Sequence, residues 1–191
     1  FDGGAGMLQA LGARFYDDEA QIVDMRKGAD LIKYIRRIDL SGVHPQLAKV
    51  NIQLMSDFSS RLYGKKSEIM QTYESLDLSQ NEAAEIDNLI WYFSELFKNE
   101  LKIAMGPIER GGAGGGIAAV LNSLYQAEIL TSHELVNQIT HLENLIQQAD
   151  LIIFGEGLKE EDQILETTTI RIAELTQQYN KPAIAICATN D

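Results

Sequence analysis

Two short apolar runs in the last third of the chain constrain its fold most. Both "LIIF" (151–154) and "AIAICA" (183–188) are unbroken apolar stretches, as is typical of strands buried on both faces of a sheet. A segment with helical periodicity precedes each run, and the connections are short. Helix, strand, helix and strand in this order indicate a parallel sheet covered by helices. The sequence therefore predicts an α/β fold.

Two capping boxes predict where the longest helices begin. Ser79 with Glu82 opens a helix that continues to residue 102, and Thr131 with Glu134 opens a second that continues to residue 148. Each helix has an apolar face with helical spacing. The two faces consist of Ile86, Leu89, Ile90, Phe93, Leu96 and Phe97 in the first helix and Leu135, Val136, Ile139, Leu142, Leu145 and Ile146 in the second.

The remaining segments give weaker patterns. Residues 13–16 and 21–23 are predicted to form a hairpin across an acidic turn, and residues 28–39 a helix. Apolar residues alternate with polar ones over 50–54, which predicts a half-buried strand. Residues 58–78 have no sustained period, so we expect an irregular loop with one helical turn.

The charge of the chain excludes two classes of partner. The formal net charge is −12 and the pI is near 4.6, so long-range electrostatics would repel a nucleic acid or an anionic membrane surface. The apolar runs are too short to span a bilayer. The one cysteine, Cys187, fits a reducing compartment, and the sequence predicts a cytoplasmic protein.

The glycine cluster "GGAGGG" (111–116) precedes a helix rich in small residues. Backbone N–H groups in such a cluster can bind an anion at the positive end of a helix dipole. The spacing matches neither a dinucleotide fingerprint, since Ile117 stands where the third glycine belongs, nor a P-loop. The alternative is that the glycines let a helix approach a neighbouring backbone closely. The local sequence leaves both readings open.

Three carboxylates stand at positions where parallel sheets and helix starts place functional groups. Glu156 lies between Gly155 and Gly157, which would turn the chain off the strand, and Asp57 ends the alternating strand. A carboxylate at the carboxyl end of a strand can accept a hydroxyl proton or help to hold Mg²⁺. Asp2 precedes two glycines. Each carboxylate can also be a helix cap, a turn former or a solvated side chain.

A zinc-protease site is excluded. In "HELVN" (133–137) the second ligand position is Asn137, and His141 lies too far along the helix to replace it. The three histidines of the chain are therefore expected at the surface or at helix caps.

Six segments in one collinear order resemble the bacterial glycerate kinase family. They are "DGGAGMLQALGARF", "IDLSGVHPQL", "SDFSSRLYG", "GGAGGGIAAVL", "ADLIIFGEG" with a downstream "EDQ", and "YNKPAIAI". The matches run over nearly the whole chain, and those near its two ends are the most similar to the family pattern. Such collinearity disfavours an unrelated α/β domain.

The resemblance implies a two-lobed α/β fold with a Rossmann-like parallel sheet, helices on both faces of that sheet, and an active site in the cleft between the lobes. It implies phosphorylation of D-glycerate, or a related small hydroxy acid, by ATP with Mg²⁺. Family chains are longer, so residues 1–191 are expected to be the central portion of the fold, without its flanking N- and C-terminal parts. A lobe boundary is expected near residues 106–112, and a homodimer is left open.

The resemblance also implies a set of site residues. Asp2 and Glu156 are expected nearest the reacting hydroxyl or the metal, with Asp57 as a third catalytic carboxylate and Asp162 at the metal. The matched backbone donors and turns, expected to bind the cofactor, are Gly3, Gly4, Gly112, Gly114, Gly115, Gly155 and Gly157.

The chain departs from the family pattern in a ligand-facing loop. Its "SDFSSRL" (56–62) keeps the aspartate but loses an Asn-Pro turn, and the glycine-lined blocks with their lysine are absent from residues 65–80. Two hypotheses follow. In the first the chain belongs to a working kinase, in which Lys65, Lys66 or groups elsewhere replace the lost lysine. In the second it belongs to a lapsed kinase that binds a small acid or a nucleotide as a sensor or regulatory domain.

Overall fold

The computed structural model describes residues 1–157 and 168–188. Helices and strands alternate through these ranges, with short 3₁₀ segments between them. The helices are α1 (Ala5–Ala10), α2 (Glu68–Thr72), α3 (Gln80–Leu101), α4 (Ile117–Tyr125), α5 (Ser132–Thr140), α6 (Leu142–Gln148) and α7 (Thr168–Gln178). The strands are β1 (Arg14–Tyr16), β2 (Arg37–Asp39), β3 (Gln53–Met55), β4 (Glu128–Leu130), β5 (Ile152–Gly157) and β6 (Ala183–Ala188).

The chain divides into two compact units. The first consists of Phe1–Leu54 and Ser60–Ile129, and the second of Met55–Ser59 and Leu130–Asp191. Residues 106–112 lie inside the first unit, so the lobe boundary expected there stays a prediction about the longer family fold.

The core of the first unit forms along α3. The predicted capping box is present, because Ser79 accepts from the backbone of Glu82 and the Glu82 side chain accepts from the backbone of Ser79. On the buried face, the Phe93 ring meets those of Phe15 and Phe97 edge-on, with centroids 5.8 and 5.7 Å apart. The predicted apolar face of this helix is confirmed, since its six residues are buried in the core or packed against it.

Residues 28–39 do not form the predicted helix. Ala29–Tyr34 form a 3₁₀ helix, and the following residues form β2, which pairs antiparallel with β1. The expected hairpin is reduced to one antiparallel bridge, between Tyr16 and Ile22. The strand arrangement places Ile38 opposite Phe15 in the core, while its neighbours Arg37 and Asp39 point away from it. This burial overrides the helical pattern.

A strand is predicted over residues 50–54, and the observed strand is shorter and begins later in the chain. It is β3, which pairs with β4, and Val50 lies outside it with half of its surface exposed. The predicted irregular segment at residues 58–78 is confirmed, with α2 and one 3₁₀ helix as its regular structure.

The second unit contains the parallel pair that the two apolar runs predicted. β5 and β6 are parallel, with Ile152 opposite Ala183 and Gly157 opposite Ala188, so the α/β class is confirmed. The predicted burial on both faces is wrong for the described residues, because Ile153 and Ile186 are 61% and 63% exposed. Only these two strands make up this sheet in the described ranges, which leaves part of its surface uncovered.

The helix predicted over residues 131–148 is two helices, α5 and α6. The capping box of Thr131 and Glu134 is present, but His141 has a φ of 52°. A left-handed residue cannot continue an α-helix, so α5 ends there and α6 begins at the next residue. Of the predicted apolar face Ile146 is buried, whereas Ile139 and Leu145 are more than half exposed.

Candidate functional site

Two glycine turns meet in the first unit, one before α1 and the other before α4. The N–H of Gly3 donates to the carbonyl of Gly115 at 2.9 Å. A Cβ on Gly116 would lie 2.5 Å from the Cα of Gly3, and a Cβ on Gly4 would lie 2.7 Å from the side chain of Val120. The close-approach reading of the glycine cluster is therefore correct for this part of the turn.

Asp2 holds the first turn. Its two carboxylate oxygens accept from the N–H of Gly4 at 2.9 Å and of Gly6 at 2.7 Å. These amides belong to the start of α1, so the carboxylate satisfies donors that a helix start leaves free. Asp2 thus has a structural role, and its expected role in catalysis stays a prediction.

The second turn is fixed by residues from the diverged loop. Gly112 donates to the carbonyl of Ser60 at 3.3 Å, and a Cβ on Gly112 would lie 2.3 Å from the carbonyl oxygen of Arg61. The N–H of Gly115 donates to Glu68 Oε2 at 3.2 Å. The anion-binding reading is therefore met in part, because an amide of this turn does receive an anion, but that anion is a side chain of this chain.

A cavity of about 530 Å³ is lined by residues of α1 and of the segments that follow it. Gly6, which carries one of the amides bonded to Asp2, lies at its wall together with Arg14, Asp24 and Arg26. Arg26 donates to both oxygens of Asp24, at 2.8 and 2.9 Å. This hydrogen bonding lowers the pKa of Asp24 to about 2. The cavity thus has two arginines among its lining residues, one of which is paired with Asp24.

Asp57 lies in the second unit at the start of α5. Its Oδ1 accepts from the N–H of Ser132 at 2.6 Å, and the Ser132 hydroxyl lies 3.1 Å from that of Thr168. The carboxylate therefore stabilises the first turn of α5, where the helix dipole favours negative charge. Its catalytic role, like that of Asp2, stays a prediction.

Gly155, Glu156 and Gly157 all belong to β5. Gly155 pairs with Ile186, and a Cβ on it would lie 2.8 Å from that residue's carbonyl oxygen, so this glycine allows close packing within the sheet. The predicted turn at Gly155 is wrong, because the strand continues through Gly157. Glu156 does lie at the carboxyl end of a parallel strand, as predicted. The predicted metal ligand Asp162 lies outside the described residues.

Sequence reasoning missed a polar cluster around α5, α6 and α7. The Tyr179 hydroxyl donates to Glu143, and this hydrogen bond raises the pKa of Tyr179. A cavity of about 100 Å³ nearby has His133 and Arg171 at its wall. No local motif links these residues, since they come from three helices.

Two features are absent from the described ranges. Within residues 1–157 and 168–188 no group of three His, Cys, Asp or Glu could hold a metal ion. No helix in the same ranges has the length and apolar character that crossing a membrane requires.

The model of the glycerate kinase family matches residues 1–191. The chain belongs to the glycerate kinase family. A glycerate kinase from Halalkalibacterium halodurans is 31% identical over 98% of this chain, and a glycerate 2-kinase from Escherichia coli is 30% identical over the same share. The crystal structure of a glycerate kinase 2 from Salmonella typhimurium covers 97% of this chain with a TM-score of 0.79 and 30% identity.

The match covers only part of these relatives. This chain spans about half of each, 49% of both curated kinases and 49% of the crystallised chain. The resemblance stated from the motifs is thereby confirmed at the level of the family and of the α/β fold.

Proposed function

We propose that this chain is part of an enzyme that phosphorylates D-glycerate, or a closely related small hydroxy acid, with ATP and Mg²⁺. The observation that carries the proposal is the family match over all 191 residues, with relatives of about 30% identity that are named glycerate kinases. The proposal includes a cytoplasmic location, where ATP is available, and small molecules rather than nucleic acid or membrane as partners.

Phosphoryl transfer requires little covalent chemistry from the protein itself. Phosphoryl transfer depends on positioning the two substrates and on offsetting the charge of the phosphates, which Mg²⁺ and backbone amides supply when the nucleotide is bound. In the proposal Glu156 or Asp2 accepts or orients the attacking hydroxyl, with Asp57 as the third candidate. The glycines of the two turns and of β5 are the proposed cofactor-binding positions, and Asp162 is the proposed metal ligand.

The described residues fit this role incompletely. The amide of Gly115 already donates to Glu68, and both oxygens of Asp2 already accept from backbone amides. The turn before α4 therefore does not offer a free phosphate cradle as it stands, and the described residues hold no cluster of three metal ligands.

A second candidate is a kinase relative that has changed or lost its substrate and acts as a binding or regulatory domain. The contact between Glu68 and Gly115 favours it, because Glu68 lies in residues 65–80, where the family's glycine-lined blocks are absent. A carboxylate at that turn would oppose the entry of an anionic substrate.

A coupled assay of ADP release by the full-length protein separates the two candidates. With D-glycerate and Mg·ATP, the first predicts turnover, and the second predicts measurable binding of the acid or the nucleotide without turnover.

If Glu156 is the acceptor, Glu156→Gln lowers phosphoryl transfer by about 10²-fold or more with little change in melting temperature. Glu85→Gln, at an exposed position, is the matched control and should leave the rate unchanged.

A further inference from the structure

Glu68 is the one side chain from the diverged loop whose carboxylate reaches the glycine turn before α4 in the described residues. Its Oε2 accepts from the N–H of Gly115 at 3.2 Å, across 47 residues of sequence. Glu68 is half-buried as the first residue of α2, and α2 packs against the 3₁₀ segment Ala113–Gly116. The contact is therefore part of the packing of the loop on the turn.

The turn has the properties of an anion site. It leads directly into α4, a helix of nine residues whose dipole makes its N-terminus positive. A carboxylate is the group that such a terminus attracts. Glu68 thus accepts from an amide of the turn that precedes α4, with the same chemistry that a carboxylate or phosphate of a ligand would bring.

A second observation at the same turn indicates an unfilled polar position. Ser60 is 1% exposed, and its Oγ has no hydrogen-bond partner within the described ranges. This Oγ lies against the turn, because a Cβ on Gly112 would be 2.7 Å from it. A buried hydroxyl without a partner costs free energy, which a ligand oxygen or a rearranged turn would recover.

We propose that Glu68 is a specificity-determining residue that occupies the amide of Gly115 in the free protein. A ligand oxyanion then reaches this turn only by displacing Glu68. This oxyanion is either the carboxylate of the acid or a phosphate of the nucleotide. The inference rests on the proposed function, since it assigns the anion selectivity of the site that the proposal uses. It makes Glu68 the residue that weakens anion binding in this chain.

The test is calorimetric titration of the full-length protein with D-glycerate and, separately, with Mg·ATP. Glu68→Gln keeps the shape and removes the charge, and Glu68→Ala removes the contact altogether. Both variants should bind at least one of the two ligands about tenfold more tightly than the unmodified protein does. The titration that changes identifies whether the acid or the nucleotide uses the turn. Glu85→Gln makes the same charge change at an exposed site and should leave both affinities unchanged.

The outcomes separate this inference from the proposed function. Tighter binding in the Glu68 variants without turnover in any form supports the inference and removes the kinase proposal. Turnover in the unmodified protein, with affinities unchanged or weaker in both folded variants, overturns the inference and leaves the kinase proposal intact. If neither the unmodified protein nor the variants bind either ligand, both fail. Melting temperatures within a few degrees of each other establish that the variants are folded.

Discussion

Two carboxylates in the first unit accept hydrogen bonds from backbone amides of glycine turns, and the two contacts differ in number, length and sequence distance. Asp2 uses both oxygens, at 2.9 and 2.7 Å, on amides two and four residues away. Glu68 uses one oxygen at 3.2 Å on an amide 47 residues away. A short, two-point, local contact fixes a turn as the chain folds, whereas a single longer contact from another loop can be exchanged for a ligand. The comparison separates a structural carboxylate from a displaceable one.

The largest expected effect on the free energy of unfolding comes from forcing apart the two turns whose amides donate to these carboxylates. Gly116→Ala would bring a Cβ to 2.5 Å from the Cα of Gly3, at a φ of +106°. Strain and overlap together should lower the free energy of unfolding by about 3 kcal/mol or more, measured by urea denaturation. Gly64→Ala is the control, because Gly64 has a φ of +91° with open space around it. It should cost about 1–2 kcal/mol, and an equal loss in both variants would mean that the turns do not depend on close packing.

A smaller effect is expected when the carboxylates themselves are removed. Asp2→Ala deletes two charge-assisted hydrogen bonds and should lower the free energy of unfolding by about 2 kcal/mol. Glu68→Ala removes one long contact and a charge near the start of α2, and should cost about 0.5 kcal/mol. Chemical denaturation of the two variants side by side measures both values. If Glu68→Ala proved as costly as Asp2→Ala, Glu68 would be a structural carboxylate rather than a displaceable one.

The smallest effect concerns Asp24, a partly exposed carboxylate that serves as a reference for the other two. Its hydrogen bonds with Arg26 lower its pKa from 3.8 to about 2. Because the folded-state pKa is lowered, the pair stabilises the fold above pH 4 and loses that contribution as the pH falls toward 2. Carboxyl-carbon NMR should show Asp24 titrating near its ordinary value in Arg26→Ala. A pKa that stays near 2 in this variant would assign the shift to other groups.

The parts of the fold that sequence predicts well depend on short-range patterns. The capping box at Ser79 and the apolar face around Phe93 follow from spacing within one segment. The parallel pairing of β5 with β6 follows from the order of neighbouring helices and strands. The failures depend on distant partners. Residues 37–39 form a strand because they pair with β1, which is distant in sequence. The helix break at His141 has no proline or glycine that would predict it from the sequence.

The candidate site, like the fold, could be predicted from the sequence only in part. Both glycine turns were identified from the sequence, but the choice between anion binding and close approach needed the distance between Gly3 and Gly116. Glu68 gave no local signal as a residue at this turn. The only indication was that residues 65–80 depart from the family pattern, which places a change in that loop without saying which side chain replaces the missing glycines.

The most direct test of the exchangeable carboxylate is the amide resonance of Gly115, followed by ¹⁵N NMR in the full-length protein. Glu68→Gln should shift this resonance while leaving the amides of Gly4 and Gly6, which are bonded to Asp2, unchanged. Addition of D-glycerate or Mg·ATP should then move the Gly115 resonance at lower ligand concentration in the variant than in the unmodified protein. A Gly115 resonance that responds neither to the substitution nor to either ligand would contradict the account.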